Sequence, residues 1–216
     1  MSGSLRLSGV SLSLGGRTLV PPLDVSVASG DVLSIMGPSG SGKSTLLAFI
    51  GGFLDPVFTA TGRVEIDGRD VTALPAEKRG IGILFQDDLL FPHLSVGQNL
   101  AFGLSARVLG GSQRRARVAA ALENAGLAGY ADRDPATLSG GQRARVTLMR
   151  SLLAEPRALL LDEPFSKLDN TLRDEFRAFL FADLRRRGIP TIQVTHDPAD
   201  ARAAGGQVVE LQAFHP

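Results

Sequence analysis

Gly37-Pro38-Ser39-Gly40-Ser41-Gly42-Lys43-Ser44 lies between the apolar run Asp31-Val32-Leu33-Ser34-Ile35-Met36 and the helix-forming run Thr45-Leu46-Leu47-Ala48-Phe49-Ile50. A buried strand opening through a glycine-rich turn onto a helix is a building unit of a parallel α/β sheet. The spacing fits the phosphate-binding pattern G-x-x-x-x-G-K-[ST] in the context that pattern requires. Glycines let the backbone wrap an anion, and the N–H groups at the helix start point at its negative charge. The segment Gly37 to Thr45 is therefore the candidate triphosphate-binding loop. Lys43 is expected to reach the β- and γ-phosphates, and the Ser44 hydroxyl to coordinate Mg²⁺. A chance glycine-rich turn would lack the strand, the Lys and the Ser together.

A second run, Ala158-Leu159-Leu160-Leu161, delivers two carboxylates, Asp162 and Glu163, to the tip of a central strand. Ligands of open α/β sheets bind at that edge. Asp162 is expected to hold Mg²⁺ through a coordinated water, and Glu163 to orient and polarise the attacking water. Phosphoryl transfer asks for little else than positioning and charge neutralisation. An isolated acidic pair more simply caps a strand in solvent; beside a phosphate loop that reading weakens. Gln86 follows Ile81-Gly82-Ile83-Leu84-Phe85, and His196 follows Thr191-Ile192-Gln193-Val194-Thr195. Both stand at apolar strand ends, where Gln86 can reach the metal and the water, and His196 the γ-phosphate. Alone, either would be polar surface.

Leu138-Ser139-Gly140-Gly141-Gln142 comes between these sites. Ser139 is a good helix N-cap, and Val146, Leu148, Met149, Leu152 and Leu153 mark the apolar side of a helix behind it. With the phosphate loop before it and the carboxylate pair after it, the chain resembles the nucleotide-binding subunits of ABC transporters over nearly its whole length. The resemblance implies a P-loop NTPase fold of α/β class. Its parts are a RecA-like parallel core, an antiparallel β subdomain and an inserted helical subdomain carrying the signature. It implies ATP hydrolysis with Mg²⁺ in a head-to-tail homodimer. Ser139, Gly140, Gly141 and Gln142 of one copy would bind the γ-phosphate held by the other.

The segment Gln86-Asp87-Asp88-Leu89-Leu90-Phe91-Pro92-His93-Leu94-Ser95-Val96-Gly97-Gln98-Asn99-Leu100 is similar to the one that, in bacterial binding-protein-dependent importers, lines a groove for a cytoplasmic permease helix. On pattern alone it would be ordinary core. The likeness implies a membrane permease partner, an extracytoplasmic solute-binding protein met only indirectly, and a place at the cytoplasmic face of the inner membrane. Two alternatives within the family are an exporter ATPase and a soluble mechanochemical ATPase acting on DNA ends or ribosomes. The DNA-end relatives carry a long coiled coil between loop and signature, and no sustained heptads occur between Ser44 and Leu138. The ribosomal relatives carry two such domains. A small-molecule P-loop kinase leaves the signature and His196 without a role.

Two departures from the family stand out. Its subunits stack an aromatic side chain from an early loop on the adenine ring, whereas no Phe, Tyr or Trp precedes Phe49 here. The region near Leu14 is expected to offer only aliphatic contact. Base stacking contributes ~1–3 kcal/mol, so weaker nucleotide affinity and poor discrimination between ATP and GTP are expected. Lys167, in the turn Ser166-Lys167-Leu168-Asp169, stands where many relatives carry a small residue; of the two readings, an adjustment of communication between the two sites or no effect, no effect is the expectation.

The formal net charge of +1 gives no basic field for nucleic acid. With 0 cysteines there are no disulfides or thiolate metal sites. No apolar run approaches the ~20 residues that span a bilayer, and the start has no basic region followed by an apolar one, so membrane attachment is expected through a protein partner. Residues 1–216 are expected to form one nucleotide-binding domain, with roughly 88–150 as the helical insertion. Alternating patterns over 4–28 and 62–68 read as antiparallel strands, and Asp174–Arg187 as a helix stopped by Gly188. The arginines of 114–117 read as a solvated helix face. From the short stretch after His196, the regulatory domain of some sugar-importer relatives is not expected to follow.

Overall fold

The computed structural model describes residues 3–104 and 110–212. In chain order its elements are β1 (Ser4–Leu14), β2 (Arg17–Ala28), β3 (Val32–Met36), α1 (Lys43–Gly51), β4 (Phe58–Ile66), β5 (Arg69–Asp70), α2 (Ala76–Arg79) and β6 (Ile81–Leu84). There follow α3 (Val96–Phe102), α4 (Gly111–Asn124), α5 (Gly140–Leu153), β7 (Ala158–Asp162), α6 (Asn170–Arg187), β8 (Thr191–Val194), α7 (Pro198–Ala204) and β9 (Val208–Glu210). The chain divides into two compact units. The first comprises Met1–Ile83, Arg157–Glu163 and Phe181–Pro216; the second comprises Leu84–Pro156 and Pro164–Leu180.

The first unit holds two sheets. One is antiparallel, in the order β2-β1-β4-β5, and the other has the order β6-β7-β8-β3-β9. In β1 the buried residues are Leu5, Leu7, Val10 and Leu12, an alternation broken between Leu7 and Val10, where the pairing register shifts. An inserted residue there keeps both apolar halves on one face. Strand β4 begins at Phe58, earlier than the strand read at Gly62–Gly68, because the pairing continues through Leu12↔Ala60 to Leu14↔Phe58. The buried faces of both sheets share one core with Leu46, Leu47, Phe49 and Ile50 of α1.

In the second sheet, β7 pairs in parallel with β8 and β8 with β3. Ala158 to Leu161 are fully buried, as expected of a central parallel strand covered on both faces. Register carries the functional consequence. Asp162 lies beside Val194, and Val194 beside Ile35. The loop after β3, the carboxylates closing β7 and the histidine after β8 therefore leave the sheet at one edge.

Arg79 shows how tightly the base of α1 is fixed. It is 6% exposed, and its guanidinium donates to the carbonyls of Phe49 and Ile50, both at 2.8 Å, and to those of Leu74 and Thr72. Two of these are carbonyls of the last turn of α1, where intrahelical donors run out; the Phe49 carbonyl also accepts from Gly52 N–H at 3.2 Å. Burial lowers the Arg79 pKa from its ordinary value.

The second unit packs α3, α4 and α5 with the first half of α6. Helices α3 and α5 both open on capping boxes, Ser95 with Gln98 and Ser139 with Gln142, which satisfy N–H groups left over at the helix start. Asn99 is fully buried; its amide accepts from Phe91 N–H at 2.8 Å and donates to the carbonyls of Phe91, Leu94 and Ser95. One side chain thus holds the turn before α3. Helix α6 starts at Asn170, ahead of the Asp174 read from the sequence, because Asp169 accepts from Leu172 N–H at 3.0 Å and supplies the cap.

Candidate active site

The loop between β3 and α1 has the backbone that anion binding needs. Gly37 takes φ +150, and a Cβ there would stand 2.5 Å from the Leu211 carbonyl oxygen. Gly42, at φ +89, forms the left-handed N-cap of α1, and a Cβ there would meet Leu19 at 2.8 Å. Neither Gly37 nor Gly42 admits a side chain without displacing its neighbours, whereas Gly40, at φ +80, meets nothing within 4 Å; the Ser41 N–H donates to the Pro38 carbonyl at 3.3 Å. Lys43 is 7% exposed. Its ammonium donates to the carbonyls of Gly37 at 2.8 Å and Pro38 at 2.9 Å, so it curls over the loop and faces the space an anion would fill.

Three side chains join the loop from neighbouring strand ends. The Ser44 hydroxyl donates to Asp162 at 3.2 Å. Glu163 follows with φ +45, an uncommon conformation for a residue with a Cβ, and its N–H donates to the Val194 carbonyl at 3.1 Å. That bond ties it to the end of β8 and turns its carboxylate to His196, whose Nδ1 lies 3.1 Å from Oε1. His196 is positioned by a buried polar set: Thr195 donates to Asp200 at 2.8 Å, and Asp197 N–H donates back to Thr195 at 3.0 Å. Gln193, on the same strand, donates to Ser34 of β3 at 2.8 Å.

These residues line a cleft of about 360 Å³ that includes Ser39, Gly40, Gly42, Lys43, Ser44, Thr45, Glu163 and His196. A larger cleft, about 800 Å³, opens in the second unit among α3, α4 and residues 128–132. It has neither a glycine-rich loop nor strand-end carboxylates, so the smaller one is the candidate site. Burial raises the Asp162 pKa, and the neighbouring Glu163 charge adds to the rise, against the Ser44 hydrogen bond and Lys43. Among the described residues no cluster of three His, Cys, Asp or Glu side chains could hold a metal unaided. The Ser44–Asp162 pair does fit Mg²⁺, which takes few protein oxygens and completes its shell with phosphate oxygens and water.

The sign of the Asp162 shift yields a prediction. A carboxyl whose pKa is raised on folding binds its proton more tightly in the folded state, so the stability it contributes is lost as pH rises through the folded value. At neutral pH ionised Asp162 opposes folding. Asp162→Asn should melt no lower than the parent at neutral pH without nucleotide, yet lose the added thermal stability given by ATP with Mg²⁺. A lower melting temperature without nucleotide would contradict this account of the site.

The other candidates lie in the second unit. Gln86 stands in a bend two residues beyond the end of β6. Ser139 accepts from Gln142 N–H at 3.3 Å while the Gln142 side chain accepts from Ser139 N–H at 3.0 Å, so Gly140 and Gly141 form the first turn of α5. The segment after Gln86 is fastened to α5. Arg143 pairs with Asp88 at 3.2 Å, Thr147 donates to the Asp88 carbonyl at 2.8 Å, and Arg150 to the Leu89 carbonyl at 2.9 Å. Burial raises the Asp88 pKa despite Arg143. Lys167 ion-pairs with Asp87, both more than half exposed, a pairing that contributes little to stability.

One expectation needs correction. The sequence implies a purely aliphatic region near Leu14, but Leu14 faces Phe58 directly across the β1–β4 pair, and both line the cleft with Leu19. An aromatic ring is present; it comes from a later strand.

The comparisons agree with this geometry. The model of the ABC transporter family matches residues 20–166. The ABC transporter ATP-binding protein YnjD of Escherichia coli is 51% identical over 92% of this chain and 91% of its own length. The sulfate/thiosulfate import ATP-binding protein CysA of Thermosynechococcus vestitus is 44% identical, and the Fe(3+) ions import ATP-binding protein FbpC of Streptomyces coelicolor 43%, each over 96% of this chain. The chain spans 61% and 59% of those two proteins. The ATP-binding cassette MJ0796, solved as a dimer in a post-hydrolysis state bound to ADP and Pi, superposes with a TM-score of 0.79 at 30% identity, covering 98% of this chain and 97% of that one. The chain belongs to the ABC transporter family, as an ATP-binding and ATP-hydrolysing subunit.

Proposed function

We propose that this ATPase powers solute import through a separate membrane permease, working as a head-to-tail homodimer with ATP and Mg²⁺ between the copies. The observation that carries the catalytic half is the strand-edge array: Lys43 over an open loop, Ser44 against Asp162, and Glu163 against His196. In this reading Gly37 to Thr45 bind the phosphates, and Ser44 and Asp162 would hold Mg²⁺, which would neutralise charge on the phosphate oxygens. Glu163 orients and polarises the water, and His196 fixes the Glu163 carboxylate and meets the γ-phosphate. Ser139, Gly140, Gly141 and Gln142 of the partner copy close the site at a capped helix start, where anions are favoured. Head-to-tail pairing of two identical copies places the same two surfaces in both sites, a closed arrangement.

Import is supported by the likeness to the sulfate/thiosulfate and Fe(3+) ions import ATP-binding proteins, of which the chain spans about three fifths, and by the apolar surface of the second unit. Phe102 is 69% exposed, Leu89 56% and Phe85 40%, and Phe102 packs edge-to-face on Phe91 at 4.7 Å. A contiguous exposed apolar patch marks a contact site, and in this reading the Phe91–Phe102 pair is the centre of one. No helix among the described residues is long and apolar enough to cross a membrane, so a peripheral place at the cytoplasmic face, held by the permease, suits this reading. Residues 1–216 act as one nucleotide-binding domain, with the helical segment of about 88–150 carrying signature and permease contacts.

The test is capture. Tagged Glu163→Gln protein is purified from detergent-solubilised host membranes with ATP, and a stoichiometric multi-span permease is expected beside it. Recovery from the soluble fraction alone, or with ribosomes or DNA, would overturn the transport reading in favour of a mechanochemical one.

A further inference from the structure

Leu14, Leu19 and Phe58 form an apolar side of the cleft whose other lining is the phosphate loop, Glu163 and His196. Leu19 abuts Gly42, so this side begins where the loop ends. A triphosphate seated on the loop directs its charged end to Lys43 and the strand-edge carboxylates, leaving its nucleoside over the apolar residues. We propose that Phe58 supplies the stacking face for the nucleobase, with Leu14 and Leu19 completing the seat. The proposal rests on the loop at 37–45 being the ATP site and adds the residue that receives the base.

Phe58 is placed with some rigidity. Asp55 accepts from Val57 N–H at 2.9 Å through its side chain and from Phe58 N–H at 3.1 Å through its carbonyl, a turn that fixes where β4 begins. The register Ser13↔Thr59, Leu14↔Phe58 then sets Phe58 opposite Leu14, within reach of side-chain contact across an antiparallel pair. The ring packs in part against the core while lining the cleft, so little side-chain freedom is lost when a base lies on it. Stacking tolerates every base because each has a π-face, and the three apolar residues offer no donor or acceptor to a base edge. Affinity is thereby restored to the level expected with an aromatic, while ATP and GTP remain poorly distinguished.

The experiment measures calorimetric binding of ATP, GTP and inorganic tripolyphosphate to the full chain with Mg²⁺. Phe58→Leu keeps apolar volume and removes the ring. ATP and GTP are expected to weaken together, by about 5- to 100-fold, with tripolyphosphate unchanged. Adding Leu14→Phe in that background returns a ring to the facing position and should recover most of the loss. Phe58→Leu binding ATP as the parent does would overturn the proposal, as would an equal weakening of tripolyphosphate. Lys43→Ala, measured alongside, separates the two levels: if it too binds ATP normally, the loop is not the ATP site; if it alone fails, only the role of Phe58 is wrong.

Discussion

Glu163→Gln is expected to lower steady-state ATP turnover by about 10²-fold or more while leaving ATP affinity within a few-fold of the parent. Gln has the size and shape of Glu, so the left-handed backbone at φ +45 and the N–H bond to Val194 are kept. What disappears is the negative oxygen that faces His196 at 3.1 Å and that, in the proposed mechanism, orients water. The phosphate-holding elements are untouched, since Lys43 and the N–H groups of 40–44 belong to a different segment. Phosphate release and equilibrium ATP binding on the same preparation read the two effects separately. Turnover near the parental rate would remove Glu163 from the chemistry.

Lys43→Ala should give the opposite division, with nucleotide affinity reduced about 10- to 100-fold, the range for losing a charge-assisted hydrogen bond. Lys43 is largely buried and braces the Gly37 and Pro38 carbonyls, so its removal takes away both a cation for the phosphates and a strut of the loop. The fold should persist, because β3 and α1 are anchored by Ile35, Leu46 and Ile50 in the shared core and by Arg79 at the helix base. Binding isotherms with circular dichroism as a folding control check this. An intact fold that binds ATP as the parent does would move the nucleotide elsewhere.

How far the sequence could be read depended on how local each signal was. The strand, glycine turn and helix of 32–51 are contiguous, and so are the apolar strand and carboxylates of 158–163; both were legible because neighbours along the chain supply the whole pattern. The Ser139 cap with Gln142 is local too. Phe58 was missed because its place depends on cross-strand register: its partner Leu14 is remote in sequence, and the intervening stretch reads as a connection. The one available signal was the turn chemistry of Asp55-Pro56 followed by Phe58 and alternating residues. The meeting of Glu163 with His196 required the sheet order β7-β8, which no single segment reveals. Likewise nothing near Asp88 indicates that Arg143, Thr147 and Arg150 will hold that segment against α5.

The central claim is that the site is completed by a second copy of the chain, and the direct measurement is the mass of Glu163→Gln by analytical ultracentrifugation with no nucleotide, with ADP and with saturating ATP. A monomer without nucleotide or with ADP, and a dimer with ATP, is the expected result, because in the proposed dimer only the γ-phosphate reaches the signature of the partner. A protein that remains monomeric at saturating ATP, or that dimerises equally with ADP, would contradict it.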